Sequence, residues 1–393
     1  MAMAKATPAS FIICCTRGRM GPSLPSPRSK KCKCTSMTFI LTPPKNTGYF
    51  TTIIQDRKEH WHLCAPGYII CKQNLLGNEA KAMVTAVCLN PSIDRTLEID
   101  GFCYGGMNRV QAVREDGGGK GINVAVVAST LGVEASCIGF SGHDGFGVVK
   151  EKMERGEVKS EFVNIGGAVR INLKVVDREK GITTEINEPG PSVTDHAKSV
   201  MRGLIHKYAK KSTTMVFTGS MPPGCETSTY RKLMAMAKEA NPDIKCIVDA
   251  EGDRLSQALL EEPYLIKPNQ FELELMLGRK VEDLNDVKRA ALALIEKGVG
   301  IVMVSLGDRG AFITDGKQCL YAPGIPVKVN STVGAGDSMV GAFAAADAAG
   351  MDLTYCFRYA VAAATAAIMT PGTELVRKED FTALLKQVEI REV

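Results

Sequence analysis

The sequence of 393 residues lacks a long apolar run and lacks the cysteine pattern of a disulfide framework. Its longest apolar stretch, residues 359–369, is Ala-rich and well short of the roughly 20 residues that a membrane-spanning helix needs. Of the 13 cysteines, six precede residue 83 and seven follow it, and no two of those seven form a Cys-x-x-Cys pair. These absences predict a soluble, reduced, intracellular protein.

Acidic residues are absent from the first 55 positions, so the charge is unevenly distributed. Residues 1–82 hold 12 basic and 3 acidic residues, which leaves 36 basic and 40 acidic residues in 83–393. A mildly acidic body argues against binding nucleic acid or a membrane surface through bulk charge. The apolar content of 45% and the charged content of 23% are ordinary globular values, which argues against wholesale disorder.

Residues 1–82 are predicted to be a disordered leader, separate from the body. The first 48 residues are rich in Ser, Thr, Pro, Arg and Lys, and the prolines break any long helix. Two interpretations fit this segment. Translation could start at Met83, which would make the protein cytoplasmic, or the leader could be a transit peptide for a plastid or mitochondrion. The abrupt change of composition at Met83 favours the first.

The body alternates between strand-like and helix-like segments. Short β-branched apolar runs predict strands at residues 84–89, 135–140, 214–218, 244–248, 264–266 and 300–305. Helical patterns follow at residues 121–131, 195–209, 227–240, 270–277 and 284–296. This alternation predicts an α/β fold: a three-layer α/β/α sandwich with a mostly parallel central sheet.

Two segments, residues 95–116 and 161–187, interrupt this rhythm with short strands. Polar and apolar residues alternate in the second segment, from Arg170 to Val175. Inserted strands with one polar face predict a small β-sheet that stands off the main domain, as a lid over a site or as a contact between subunits. Residues 83–393 therefore suit one large α/β domain with such a lid.

A glycine-rich turn at residues 117–121 opens an apolar helix. Gly118 and Gly119 would let backbone N–H groups approach a ligand, and a helix N-terminus favours an anion. The turn is not a P-loop, because Lys120 is followed by Gly121 rather than by Ser or Thr. It does not directly follow the first strand either, which argues against a nicotinamide dehydrogenase. On this motif alone, a flexible turn before a helix is the simpler alternative.

A second small-residue turn, residues 331–336, leads into the helix predicted from Asp337. Gly334, Ala335 and Gly336 can point several N–H donors at one developing oxyanion, with Asp337 beside it in the first helical turn. Alternatively, the acid only stabilises the helix dipole, an effect of about 0.3–1 kcal/mol. The first glycine turn weighs against that alternative.

Six motifs, in this order, resemble those of the PfkB (ribokinase-like) carbohydrate kinase family. They are Asn-Pro-Ser-x-Asp, Gly-Gly-Lys-Gly-x-Asn, Gly-Ser-x-Pro-Pro-Gly, Lys-Pro-Asn-x-x-Glu, Ser-x-Gly and Gly-Ala-Gly-Asp. The resemblance covers nearly all of residues 83–390 and implies the ribokinase-like fold. Within the family, the chain is most similar to the 1-phosphofructokinase branch and next to the tagatose-6-phosphate kinases. Its Ser-Thr-Val start at residues 331–333 departs from the Asp-Thr-x of ribokinase, which weighs against a ribokinase-style monovalent-cation site.

The resemblance implies a phosphotransferase that uses ATP and Mg²⁺ to phosphorylate a sugar phosphate. Asp337 resembles the general base that removes the proton of the sugar hydroxyl. Gly334, Ala335 and Gly336 resemble the anion hole of that reaction.

The acceptor side is also assigned by resemblance. The implied substrate-binding residues are Asp94, Gly118, Gly119, Lys120, Asn123, Arg170 and Ser220. Asp94 and Asn123 suit a polyol, because a carboxylate and an amide can accept from or donate to neighbouring hydroxyls. Lys120 and Arg170 resemble a clamp for a phosphate that the substrate already carries.

The nucleotide side comes from the same resemblance. The implied nucleotide-binding residues are Lys267, Asn269, Ser305 and Gly307. Asn269 and Glu272 match the motif that positions magnesium through water, since Mg²⁺ keeps several waters and needs few protein ligands. The simpler alternatives are a solvated Glu272 and an exposed loop Lys267.

The expected reaction converts D-fructose 1-phosphate into fructose 1,6-bisphosphate. One alternative is a kinase of the same family that acts on tagatose 6-phosphate or fructose 6-phosphate. Another is a non-catalytic regulator that binds sugar or nucleotide, against which the intact Asp337 and its glycine turn argue. A homodimer formed through the lid is also expected.

Overall fold

The computed structural model describes residues 38–40, 53–56, 59–60, 82–372 and 374–393. The chain divides into two units, Met1–Gly77 and Asn78–Val393. In the first unit, three short strands pair antiparallel in the order β1-β2-β3. These strands are β1 (Thr38–Ile40), β2 (Ile53–Asp56) and β3 (Glu59–His60). The remainder of the predicted leader up to Lys81 lies outside the described residues.

The second unit alternates strands and helices along the chain. Its strands are β4 (Met83–Cys88), β5 (Ser92–Ile99), β6 (Val110–Gly118), β7 (Glu134–Ser141), β8 (Lys159–Asn164), β9 (Arg170–Asp177), β10 (Ile182–Asn187), β11 (Thr214–Thr218), β12 (Lys245–Asp249), β13 (Leu265–Ile266), β14 (Ile301–Ser305), β15 (Ala311–Thr314), β16 (Cys319–Ala322) and β17 (Arg391–Glu392). Its helices are α1 (Lys120–Thr130), α2 (Phe146–Arg155), α3 (Asp195–Ala209), α4 (Thr229–Ala240), α5 (Gly252–Leu259), α6 (Gln270–Leu277), α7 (Leu284–Ile295), α8 (Ala335–Ala348), α9 (Leu353–Ile368) and α10 (Lys378–Leu385). Every strand and helix predicted for the α/β core is present, with ends within two residues of the prediction.

A ten-stranded sheet in the order β17-β16-β15-β14-β13-β12-β11-β4-β7-β8 forms the middle layer. It is parallel from β14 to β8, and β15 to β17 add an antiparallel edge. Alternate residues of β4 face opposite layers: Val84, Ala86 and Cys88 pack in the apolar cluster with α1 and α8, whereas Met83 and Val87 pack with α3 and α4. A strand buried on both faces is expected to be continuously apolar. The predicted three-layer sandwich is confirmed.

The predicted small sheet is also present. Its strand order is β10-β9-β5-β6, and only the β9–β5 pair is parallel. Residues 161–164 were predicted to belong to it, but they lie in β8 at the edge of the main sheet. The reason is apolar packing: Phe162 contacts one core cluster and Val163 the other, which a strand between the two helical layers allows. Among the described residues, no helix is long and apolar enough to cross a bilayer.

Candidate active site

The predicted site residues converge where the parallel strands end. Strands β4, β11, β12 and β13 run in the same direction, so their carboxyl ends lie at one edge of the sheet. Open α/β sheets bind ligands in the crevice at this edge. Both glycine turns open helices, α1 and α8, that pack on each other above β4. The fold therefore brings together motifs that lie more than 200 residues apart, such as Asn123 and Asp337.

The first glycine turn passes very close to Asp94. A Cβ atom at Gly118 would lie 2.7 Å from Oδ1 of Asp94, and Gly119 has a φ of 126°, which side chains rarely allow. Glycine is therefore required at both positions for the backbone to reach the start of α1 beside this carboxylate. The N–H groups of the first helical turn have no partners within the helix. Those of Gly121 and Ile122 hydrogen-bond to the buried thiol of Cys88, beneath the turn.

Asp337 lies in the first turn of α8, which follows Gly334 in the left-handed conformation. Its carboxylate is buried, with 6% of the residue exposed. Nδ2 of Asn123 donates a hydrogen bond to Oδ2 of Asp337 at 2.7 Å. Burial raises the pKa of Asp337 above its ordinary value, although the charge of Lys120 opposes the shift. A carboxylate with a raised pKa beside free N–H donors has the properties of a general base.

Asp249 is a site residue that none of the six sequence motifs contains. It ends β12, is 2% exposed, and lies between two lysines. Its Oδ1 is 3.2 Å from Nζ of Lys267, and its Oδ2 is 3.3 Å from Nζ of Lys120. Burial opposes its negative charge, but the two ammonium groups hold the pKa of Asp249 well below its usual range. The available signal was an acid at the carboxyl end of a buried parallel strand.

The same contacts show where Lys120 points. The charge of Asp249 raises the pKa of Lys120, and Asp337 and Glu272 add smaller contributions in the same direction. The ammonium group thus faces the carboxylates that lie between the predicted acceptor side and the predicted nucleotide side of the site. It is close to the predicted base and to the predicted nucleotide residues.

Arg170 has different neighbours. Its Nη1 donates to Oδ1 of Asn172 at 3.1 Å, and Nδ2 of Asn172 donates to Oδ1 of Asp94 at 3.0 Å. Its Nε donates to the carbonyl oxygen of Asn90 at 3.2 Å, and the Asn90 side chain donates to Oγ of Ser220 at 3.3 Å. The predicted acceptor residues Asp94, Arg170 and Ser220 therefore belong to one hydrogen-bonded network. Two of its members, Asn90 and Asn172, were missed, although Asn172 follows Arg170 by two residues and thus shares its face of β9.

The predicted nucleotide residues also lie side by side. Asn269 caps α6: its Oδ1 accepts from the N–H of Glu272, and Oε2 of Glu272 accepts from the N–H of Asn269, both at 2.8 Å. Asn269 pairs with Ser305 in an isolated parallel bridge. Lys267 is buried beside Asp249, and Gly307 begins a short 3₁₀ turn just beyond Ser305. These loops follow β13 and β14, which are paired neighbours in the main sheet.

The residues around Glu272 fit a magnesium ion held mainly through water. The capping box uses Oε2 of Glu272, and the charge of this carboxylate contributes to the raised pKa of Lys120. The described part of the chain contains no group of three His, Cys, Asp or Glu side chains that could hold a metal. Mg²⁺ at phosphate sites typically takes one or two carboxylates, with water and phosphate oxygens as the other ligands. The residues present match that requirement.

Comparisons with known proteins agree over the same part of the chain. A family model described as pfkB family carbohydrate kinase matches residues 84–379. A 1-phosphofructokinase from Vibrio cholerae is 31% identical over 307 residues, which cover 78% of this chain and 96% of that protein. A tagatose-6-phosphate kinase from Staphylococcus epidermidis is 32% identical over 315 residues, which cover 79% and 100%. The crystal structure of phosphofructokinase-2 from Escherichia coli in complex with potassium is similar with a TM-score of 0.73 at 31% identity, covering 78% of this chain and 99% of that one.

Proposed function

Because the chain belongs to the pfkB family of carbohydrate kinases, we propose that it transfers the terminal phosphoryl group of ATP to fructose 1-phosphate, which gives fructose 1,6-bisphosphate and ADP. The family match and the relatives make it a sugar-phosphate kinase, so the reaction class predicted from the motifs is confirmed. The choice of acceptor is supported by similarity to enzymes named 1-phosphofructokinase. The observation that carries the mechanism is the buried carboxylate of Asp337, hydrogen-bonded to Asn123 at the start of α8.

Asp337 would take the proton from the C6 hydroxyl of the acceptor while the oxygen of that hydroxyl attacks the terminal phosphorus of ATP. The bond from that phosphorus to the bridging oxygen of ADP breaks in the same displacement. Phosphoryl transfer passes through a loose, in-line transition state, so the protein contributes mainly by positioning the reactants and by stabilising charge. The N–H groups at the start of α8, from Gly334 to Gly336, would stabilise the developing anion.

Lys120 and Lys267 would offset the charge of the nucleotide phosphates. Both contact Asp249, which fixes two ammonium groups at the junction of the two halves of the site. The resemblance implied a clamp of Lys120 and Arg170 for the acceptor's phosphate. Because Lys120 contacts Asp249, we propose instead that Lys120 serves the transferred phosphoryl group and that Arg170 alone serves the phosphate already on the acceptor. Magnesium, when bound, would neutralise phosphate charge further, with Asn269 and Glu272 holding it through water.

A panel of phosphosugars tests the acceptor assignment. ADP release by the full chain would be followed with fructose 1-phosphate, fructose 6-phosphate and tagatose 6-phosphate under identical conditions. We expect the highest kcat/KM for fructose 1-phosphate. A higher value for tagatose 6-phosphate would replace the proposed acceptor with that of the second group of relatives, and the proposed fructose 1-phosphate specificity would be wrong.

The small sheet exposes apolar side chains that favour a dimer. Tyr104, Met107, Val113, Ile182 and Ile186 are each more than half exposed on or beside its strands. Exposed apolar side chains grouped on one small sheet often mark an interface, and a two-fold dimer is the commonest way to cover one. Light scattering of the wild type at micromolar concentration should therefore give a dimer.

Lysine at two of these exposed positions tests whether the small sheet forms the interface. The Ile182→Lys, Ile186→Lys double variant should shift the scattering mass toward the monomer. Phe271→Lys provides the control, since Phe271 is equally exposed but lies on α6. A monomeric wild type, or an unchanged mass in the double variant, would rule out this interface.

A further inference from the structure

Lys152 is a basic residue of α2 that does not behave as a surface lysine. The other charged residues of the helix are exposed, and they form the ion pairs Lys150–Glu154 and Arg155–Glu151 at the surface. Lys152 lies on another face, beside Gly117, where a Cβ atom would come 3.3 Å from its own Cβ. Its Nζ donates a hydrogen bond to Oδ1 of Asn123 at 2.8 Å. The side chain therefore reaches from α2 into the acceptor side of the site.

Asn123 connects Lys152 to the proposed base. Its Oδ1 accepts from Lys152, and its Nδ2 donates to Oδ2 of Asp337 at 2.7 Å. An ammonium group can only donate and an ionised carboxylate can only accept, so both neighbours require the same orientation of this amide. A cation on the carbonyl end also polarises the amide and strengthens the N–H bond to the carboxylate. Lys152 and Asp337 are thus coupled through a side chain that is only 4% exposed.

The groups around Lys152, Asn123 and Asp337 are mostly acidic, and Lys152 offsets their negative charge. Burial lowers the pKa of Lys152 to about 8, and the carboxylates of Asp94 on β5, Asp116 on β6 and Asp337 on α8 oppose that shift. The charge of Arg155, on the same helix, lowers the pKa of Lys152 further. Below its pKa, Lys152 therefore supplies positive charge to an acidic pocket that must admit a phosphosugar.

The base is also influenced by groups on other elements. After burial, the pKa of Asp337 responds to Lys120 at the start of α1, to Asp249 at the end of β12 and to Lys267 after β13. Those groups lie on the nucleotide side of Asp337. Lys152 approaches through Asn123 from the acceptor side, so changing it leaves the Asp249 ion pairs in place.

We propose that Lys152 is a positioning residue for phosphoryl transfer: through Asn123 it holds the amide against Asp337 and favours the ionised, reactive form of this carboxylate. The inference rests on the proposed role of Asp337 as general base. It concerns a residue outside the six sequence motifs, on a helix that the sequence did not predict.

Lys152→Met tests the proposal, because methionine keeps the length and the apolar part of the side chain but removes the donor and the charge. We expect kcat for the best phosphosugar of the panel to fall about tenfold or more at neutral pH, with the KM for ATP nearly unchanged. The pH profile provides the sharper measurement. Asp337 must be ionised to act, so loss of a nearby cation raises its pKa, and the acid limb of kcat should move to higher pH.

Two further variants separate positioning from general damage. Lys152→Arg keeps a charged donor and should restore the acid limb toward that of the wild type. Lys150→Met, two residues away on the exposed face, should leave both kcat and the profile unchanged. If Lys152→Met does not fold, Lys152→Gln replaces it, since glutamine keeps a donor without the charge and the acid limb must still shift.

Three results would overturn the proposal: unchanged kcat in Lys152→Met, a loss of kcat with an unchanged acid limb, or an equal loss in Lys150→Met. Its failure can be distinguished from failure of the proposed base. If Asp337→Asn is inactive while Lys152→Met behaves as the wild type, only the role of Lys152 is wrong. If Asp337→Asn remains active, the general base is wrong and this inference falls with it.

Discussion

Asp337→Asn is expected to bind both substrates nearly as the wild type does, while kcat falls about 100- to 10,000-fold. Asparagine has the same shape, and its carbonyl oxygen can still accept the hydrogen bond from Asn123. What it cannot do is take a proton from the acceptor hydroxyl. General acid–base assistance of this kind typically accounts for a loss of that size. Steady-state kinetics with ATP and fructose 1-phosphate, together with the thermal unfolding midpoint, would measure the effect.

Asp347→Asn is the matched control. Asp347 is a second buried acid on α8, but it bonds Lys245 and Tyr264 far along the helix from the glycine turn. Its substitution should lower stability while kcat stays within a few-fold of the wild type. If Asp337→Asn kept more than about a tenth of the wild-type rate, Asp337 would not be the essential base.

Arg170→Ala is expected to raise the KM for fructose 1-phosphate about 10- to 150-fold and to leave the KM for ATP nearly unchanged. The guanidinium suits a phosphate because it offers a planar fork of donors, and a charge-assisted hydrogen bond of this kind contributes about 1.5–3 kcal/mol. Arg170 is held on β9 by bonds to Asn90 and Asn172, on the acceptor side of the site. None of these contacts involves a proposed nucleotide-binding residue, so the KM for ATP should not change.

Two further substitutions serve as controls for Arg170→Ala. Arg170→Lys keeps the charge but not the fork, so an intermediate KM is expected. Arg178→Ala removes a half-exposed arginine that follows the same strand and pairs with Asp100 and Glu98, so it should change neither KM. An unchanged KM for fructose 1-phosphate in Arg170→Ala, or an equal rise for ATP, would show that Arg170 does not bind the acceptor phosphate.

The fold could be predicted because its signals are local. Continuous apolar runs such as β4 and β11 indicate strands buried on both faces, and the intervening helical periods indicate crossovers. The prediction for residues 161–164 was wrong because it also relied on a local pattern. A short, polar edge strand such as β8 has the pattern of an exposed sheet, and only its contacts with two separate apolar clusters place it in the main sheet.

Only the site residues that stand in a sequence motif could be predicted. Asp337, Asn123 and Lys267 stand in such motifs, and the structure brings all three to one edge of the sheet. The partnership of Lys120 with Asp249 depends on contacts across 129 residues, which no local pattern contains. Lys152 could not be identified as a site residue for another reason. It stands in the run Lys-Glu-Lys-Met-Glu-Arg, which has the composition of a solvated helix face.

The most direct test of this account compares fructose 1-phosphate with free fructose as acceptors for the full chain. The account assigns Arg170 to a phosphate that free fructose lacks, while Asp337 and the nucleotide residues serve both acceptors equally. ATP-dependent phosphorylation followed by ADP release should give a kcat/KM at least about 10- to 100-fold higher for fructose 1-phosphate. Equal kcat/KM values for the two sugars would contradict the claim that this site is built for a phosphosugar.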